Sequence, residues 1–157
     1  MKKLLLITLL LGFSTPSAFK HFDEVEYFEP MKPVREGIIL TRKDSLIRLV
    51  LQEASGENLH GQILVAGVVL DRVRDSRFPN TENSVSRQKG QFEGMWKKFG
   101  NYSQEQIQQA NLAVEVAKQG FRPCGRVLFF KAIWLKSDSW WEKRTKVCRV
   151  GGHDFYK

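Results

Sequence analysis

The sequence is poor in the side chains from which metal centres are built. Two cysteines and three histidines among 157 residues are too few for a four-ligand structural zinc site, and no motif for a bound cofactor stands out. Long apolar runs are missing too. The opening stretch Leu4 to Phe13 spans about ten residues, where a bilayer-spanning helix needs ~20. There are no internal repeats and no low-complexity tract. Acidic residues fall short of basic ones, 17 against 25, for a formal net charge of +8. That balance favours an anionic partner. However, the basic residues are scattered (Arg72, Arg87, Lys97, Arg122, Lys146 and others), with no helix-turn-helix, zinc-finger or basic-aromatic RNA motif. Nucleic acid is therefore not the expected partner.

The rest of the composition is that of a globular protein, 42% apolar and 27% charged, with length for one core and a short extra segment. Lys2 and Lys3, the apolar run and the small residues Ser14-Thr15-Pro16-Ser17-Ala18 form an export signal. Residues 1–18 are expected to be a signal peptide or N-terminal anchor, the sole contact with a membrane. They would send the chain to the periplasm or the extracellular envelope. Residues 19–40, with Asp23, Glu24, Glu26, Glu29, Pro30 and Pro33, have no steady period and are expected to be a tether. Cys124 and Cys148 suit an oxidising compartment. A bridge between them would close a loop of about 25 residues, and two free buried thiols are the alternative. The sequence does not give the oligomeric state.

The folded domain is expected from residue 41 to 157. Thr41 and Asp44 offer an imperfect capping box for a helix with Leu46, Leu49 and Val50 on one face, stopped at Ser55-Gly56 by a left-handed glycine. Residues 61–74, apolar nearly all round, read as a central buried helix. The next stretch, 75–100, is interrupted by Pro79, Gly90, Gly94 and Gly100 and reads as loop. Ser103 and Gln106 make a capping box for a helix that Gly120 ends. Residues 127–130 and 147–150 read as short strands, with Gly151-Gly152 turning the chain into His153-Asp154-Phe155-Tyr156. The expected fold class is a mostly helical α+β single domain with small β elements near the C-terminus.

One carboxylate stands out. At 3.6 residues per turn, Glu53 lies above Leu49 and Val50 at the C-terminal end of the first helix. Apolar neighbours penalise its anion, and the negative end of the helix dipole does so as well. A carboxyl kept protonated in this way can act as a general acid. The competing reading is a buried ion pair with Arg72 or Arg77. Glu57, just past the turn, suits either a cleft rim or the cap of the next helix.

The run Leu46-Ile-Arg-Leu-Val-Leu-Gln-Glu53-Ala-Ser-Gly-Glu57 is followed by Gly61-Gln62, Val68-Val69-Leu70, Arg72-Val73, Gln91-Phe92 and Gly151-Gly152-His153-Asp154-Phe155-Tyr156. This succession resembles the cell wall hydrolase family typified by the spore cortex-lytic enzymes, over about 115 residues. The resemblance implies a lysozyme-like or lytic-transglycosylase-like fold. It also implies peptidoglycan glycan strands as partner, cleaved between N-acetylmuramic acid and N-acetylglucosamine, with Glu53 as catalytic residue. No cofactor is expected, and no ligand cluster argues for a metal. Gln91, Phe92, His153, Phe155 and Tyr156 would line or support the substrate cleft, with Glu57 at its rim. The chain departs from the family pattern at Asp71, usually Asn, and at Phe130-Lys131, often Phe-His, so Lys131 would offer substrate a fixed charge. A lytic transglycosylase needs one carboxylate. A hydrolytic muramidase or endolysin wants a second, for which Glu57 and Asp71 are the candidates. A non-catalytic wall-binding module would need no carboxylate at Glu53.

Overall fold

A computed structural model describes residues 44–157; the expected signal, the tether and the Thr41 cap lie outside these residues. Helix α1 (Ser45–Ala54) buries Leu46, Leu49, Val50, Leu51 and Ala54, as its period requires, with Asp44 at the N-cap position. Gly56 does not take the expected left-handed conformation; Gly90, Gly120, Gly125 and Gly151 are the described glycines that have positive φ. The Glu57 amide donates to the Ala54 carbonyl at 3.0 Å, so the chain turns tightly and enters the next helix at once. Asn58, not Glu57, caps that helix, its side chain accepting from the Gly61 amide. The cap lets α2 (Leu59–Val73) begin two residues before the expected start, and every residue from Gly61 to Arg72 is buried.

Helix α4 (Gln104–Lys118) carries the reciprocal Ser103–Gln106 capping box. It packs Ala110, Ala113, Val114 and Ala117 against α1 and α2. The stretch expected to be loop contains two short helical pieces. They are α3 (Glu82–Ser86), capped by Thr81, and a 3-10 turn, Glu93–Trp96. Both are too short for periodicity to show.

Strands β1 (Phe129–Ala132), β2 (Lys146–Val150) and β3 (His153–Tyr156) form an antiparallel sheet with β3 in the middle. Phe130 faces Phe155, Ala132 faces His153 and Val150 also faces His153. Between β1 and β2 lies α5 (Ser139–Glu142), capped by Asp138.

One covalent and two polar ties hold the sheet to the helices and to itself. Cys124 and Cys148 are bridged, with Cα atoms 6.2 Å apart, joining the turn after α4 to β2. Closing a loop of this length contributes roughly 3–4 kcal/mol. Replacing both cysteines with serine should lower the unfolding free energy by that amount in a denaturant titration. Asp71 on α2, side chain 5% exposed, pairs with Arg122 at 3.2 Å and accepts from the Val127 amide. Asp154 on β3 takes Arg149 at 2.6 Å and Lys146 at 2.8 Å from β2.

The hydrogen bond from Arg149 is the main reason the Asp154 carboxyl titrates at about 2 instead of the usual 3.8. Its contribution to stability is therefore complete above pH ~4 and lost as pH falls toward 2. In Asp154→Asn, unfolding followed between pH 4 and 2 should depend less on pH than in the parent.

Candidate active site

The end of α1 presents Glu53 to a groove of about 510 Å³, whose walls also include Gln91, Phe130 and His153. A second cavity of about 410 Å³ shares Gly90, Gln91, Phe130 and Trp141 with the first and continues to Trp140. The two lobes make one elongated depression between the helices and the sheet. Glu53 is half-buried, and its Oε1 accepts the Gly94 amide at 2.7 Å. Burial raises its pKa above the ordinary carboxylate value, opposed by the Gly94 hydrogen bond and by Lys97, and helped by Glu93. Among the described residues Glu53 makes no ion pair. Arg72 instead lies buried within 5.2 Å of the ring centroids of Phe78, Phe92 and Phe129, its Nε donating to the Leu128 carbonyl. Burial there lowers its pKa to about 10. Arg77 pairs with Asp75.

The 3-10 turn fits tightly under Glu53. A Cβ on Gly94 would stand 2.6 Å from Glu53 Oε1 and 2.8 Å from Gln52 Cβ, so only glycine brings the amide this close. Glu57 acts as a clasp instead of a rim. Both its carboxylate oxygens accept the Gly152 amide, at 3.1 and 3.0 Å, and Oε1 lies 3.1 Å from His153 Nδ1. A Cβ on Gly151 would collide with the same carboxylate, which explains the paired glycines. Burial lowers the His153 pKa, against the opposing pull of Glu57.

The remaining expected site residues divide. Gln91 is exposed and lines both lobes. Phe92, Phe155 and Tyr156 are 1%, 0% and 6% exposed; Phe92 borders the second lobe, and Phe155 and Tyr156 support the groove from behind. Phe92 and Phe155 back Phe130, with centroids 6.1 and 6.0 Å away, and Tyr156 packs against Trp141 at 5.0 Å. Lys131 borders the groove, but its ammonium donates to the Leu135 carbonyl and Ser137 Oγ at 2.9 and 2.7 Å. It holds the 132–137 loop against the sheet instead of facing outward as a fixed charge. Asp71 is engaged by Arg122 and Val127, as described, and is not a groove residue.

Sequence reasoning missed Trp140, Trp141, Phe130, Glu93 and the Gly94 amide. The Ser-Trp-Trp-Glu string with Asp138 before it was the one available signal, a capped turn carrying two large rings. Among the described residues no group of three or more His, Cys, Asp or Glu is placed to hold a metal ion.

The sequence model of the Cell Wall Hydrolase family matches residues 56–156. The chain belongs to that family. Glu53 lies three residues before the matched span begins. Curated cell wall hydrolase relatives include the spore cortex-lytic enzyme of Oceanobacillus iheyensis, 31% identical over 82% of this chain and 46% of its own length. That of Bacillus cereus is 31% identical over 69% and 41%. The chain thus spans under half the length of these relatives. Among solved structures, the catalytic domain of the Bacillus cereus SleB protein superposes with a TM-score of 0.63 at 28% identity, covering 79% of this chain and 95% of that one. The catalytic domain of the germination-specific lytic transglycosylase SleB from Bacillus anthracis gives the same score and identity over 79% and 100%. The hydrolase domain is therefore SleB-like in fold, mostly helical with its small sheet near the C-terminus.

Proposed function

We propose that this cell wall hydrolase cuts peptidoglycan glycan strands as a lytic transglycosylase, with Glu53 as its one catalytic acid and base. One observation carries the reading. A single half-buried carboxyl, its pKa raised by burial, stands on the wall of an elongated groove with aromatic rings farther along it. The named relatives are cortex-lytic enzymes, and one similar catalytic domain is from a lytic transglycosylase.

In this mechanism protonated Glu53 gives its proton to the leaving oxygen as the β-1,4 bond to muramic C1 breaks. The resulting carboxylate takes the proton of the muramic C6 hydroxyl as that oxygen bonds to C1. No water is consumed, Glu53 ends protonated, and the product carries a 1,6-anhydro ring. The Gly94 amide fixes the carboxyl and steadies its anionic state between the two steps. His153, beside Glu57, serves as a wall of the groove. Residues 41–157 form the catalytic unit in this reading, delivered across the membrane by residues 1–18 on the tether 19–40.

One feature favours a second reading. Glu93 also lines the groove and could activate water as the second carboxylate of a hydrolytic muramidase, although it is largely exposed and 3.9 Å from Lys97. Mass spectrometry of digested sacculi separates the two. Anhydromuramic ends support the transglycosylase, whereas reducing muramic ends, lost in Glu93→Gln, would replace it with hydrolysis.

Gly94→Ala provides a separate check. Its methyl group displaces the carboxyl of Glu53, so kcat should fall by about tenfold to a hundredfold with KM little changed, the pattern of a misplaced catalytic group.

A further inference from the structure

Beside the groove lies a third cavity, of about 380 Å³, lined by Arg87, Lys89, Gly90 and Trp96. Gly90 also lines both lobes of the groove, so the cavity adjoins the groove at that residue. Its frame is built. Val85 and Ser86 of α3 are buried, and the amides of Gln88 and Gln91 donate back to the carbonyls of Val85 and Gln88. These turns carry Arg87, Lys89 and Gly90 outward in a fixed order. Arg87 Nε donates to Asn83 Oδ1 at 3.0 Å, which orients the guanidinium and leaves its terminal nitrogens for a ligand. Trp96 closes the 3-10 turn and is 59% exposed, a large ring with a free face.

The charge is unbalanced here. Elsewhere on the surface Arg77 and Arg126 share Asp75, and Arg149 and Lys146 share Asp154. Arg87 and Lys89 have no carboxylate within ion-pair reach among the described residues. Two cations beside an apolar ring suit a small ligand with a carboxylate and an aliphatic stem. On a peptide-bearing strand the lactyl carboxyl of each muramic residue is tied up in an amide, so the sugar backbone has no such group to offer. The short peptide that branches from the lactyl arm of each muramic residue does, in its free carboxylates.

We propose that the Arg87–Lys89–Trp96 cavity is a subsite for this carboxylate-bearing stem peptide, so that the enzyme prefers peptide-substituted strands to bare ones. The proposal rests on the peptidoglycan reading above. Its position fits: a strand lying along the groove has its side branches within reach of a cavity that leaves the groove at Gly90. Arg87 and Lys89 supply the charge, and Trp96 packs on the aliphatic part of the branch.

The test measures binding and cleavage separately. Retention of the Glu53→Gln protein is compared on peptide-bearing glycan strands and on strands stripped of peptide by an amidase and then methylamidated at the lactyl carboxyls that the amidase frees. The expected result is about tenfold tighter retention on peptide-bearing strands, falling to the level of stripped strands in Glu53→Gln/Arg87→Glu/Lys89→Glu and in Glu53→Gln/Trp96→Ala. Thermal melting should be unchanged, since none of the three side chains is buried. Equal retention of the Glu53→Gln protein on both strands, or equal losses on both in the variants, would overturn the subsite. Cleavage of both strands by the parent with no peptide preference rejects the subsite alone. Failure to bind or cut either strand rejects it together with the peptidoglycan reading.

Discussion

Glu53→Gln should reduce lysis of purified sacculi by about 10²- to 10⁴-fold, the range a positioned acid–base group supplies, while the protein stays folded. The substitution is nearly isosteric, and an amide oxygen can still accept the Gly94 hydrogen bond. Burial penalises the anion at this site, so exchanging it for a neutral amide should leave the melting temperature unchanged or raise it. Loss of activity with stability kept identifies chemistry; retention of full lysis would end the assignment of Glu53.

The same residue sets the direction of the pH profile. The acid form is needed to start the reaction, so kcat/KM should fall as pH rises through the raised Glu53 pKa. Lys97 lowers that pKa. Lys97→Met should therefore move the falling limb to higher pH, a shift that loss of an unrelated surface charge would not produce.

The largest stability effect is expected away from the groove. Asp71→Ala should cost about 3–5 kcal/mol in denaturant unfolding, the usual consequence of leaving a buried partner charge uncompensated. Arg122 in that pair is 7% exposed, and its guanidinium also donates to the Ala117 carbonyl. It cannot swing into water without breaking the end of α4. Asp71→Asn should cost less, because its amide oxygen can still accept from Arg122 or the Val127 amide. A double variant, Asp71→Ala/Arg122→Leu, should recover part of the loss. If Asp71→Ala were neutral, the tie between α2 and the segment leading into β1 would be dispensable.

What the sequence made legible followed from local periodicity and local chemistry. The α1 stripe, the largely apolar α2 and the Ser103–Gln106 box can each be read within one or two helical turns, and each is present, α2 starting two residues early. The place of Glu53 at the apolar end of α1 was legible for the same reason, whereas its partner, the Gly94 amide 41 residues on, was not. Partners brought from far along the chain were not legible. Nothing near Glu57 indicates Gly152, 95 residues away, and nothing near Lys131 marks the Leu135 carbonyl as its acceptor. Phe92, Phe155 and Tyr156 were expected to line or support a cleft, and side-chain type alone cannot separate a ring that stacks on a ligand from one that packs behind it. Burial decides that, and burial is a property of the whole fold. The short helical pieces α3, α5 and the 3-10 turn escaped because four or five residues cannot display a period.

The Glu57 clasp has a consequence for the order in which the groove is built. Glu53 belongs to α1, but His153 on the same groove wall is anchored through Glu57 and the Gly152 amide, which come from the two ends of the domain. The groove is therefore complete only once the last strand of the sheet is in place.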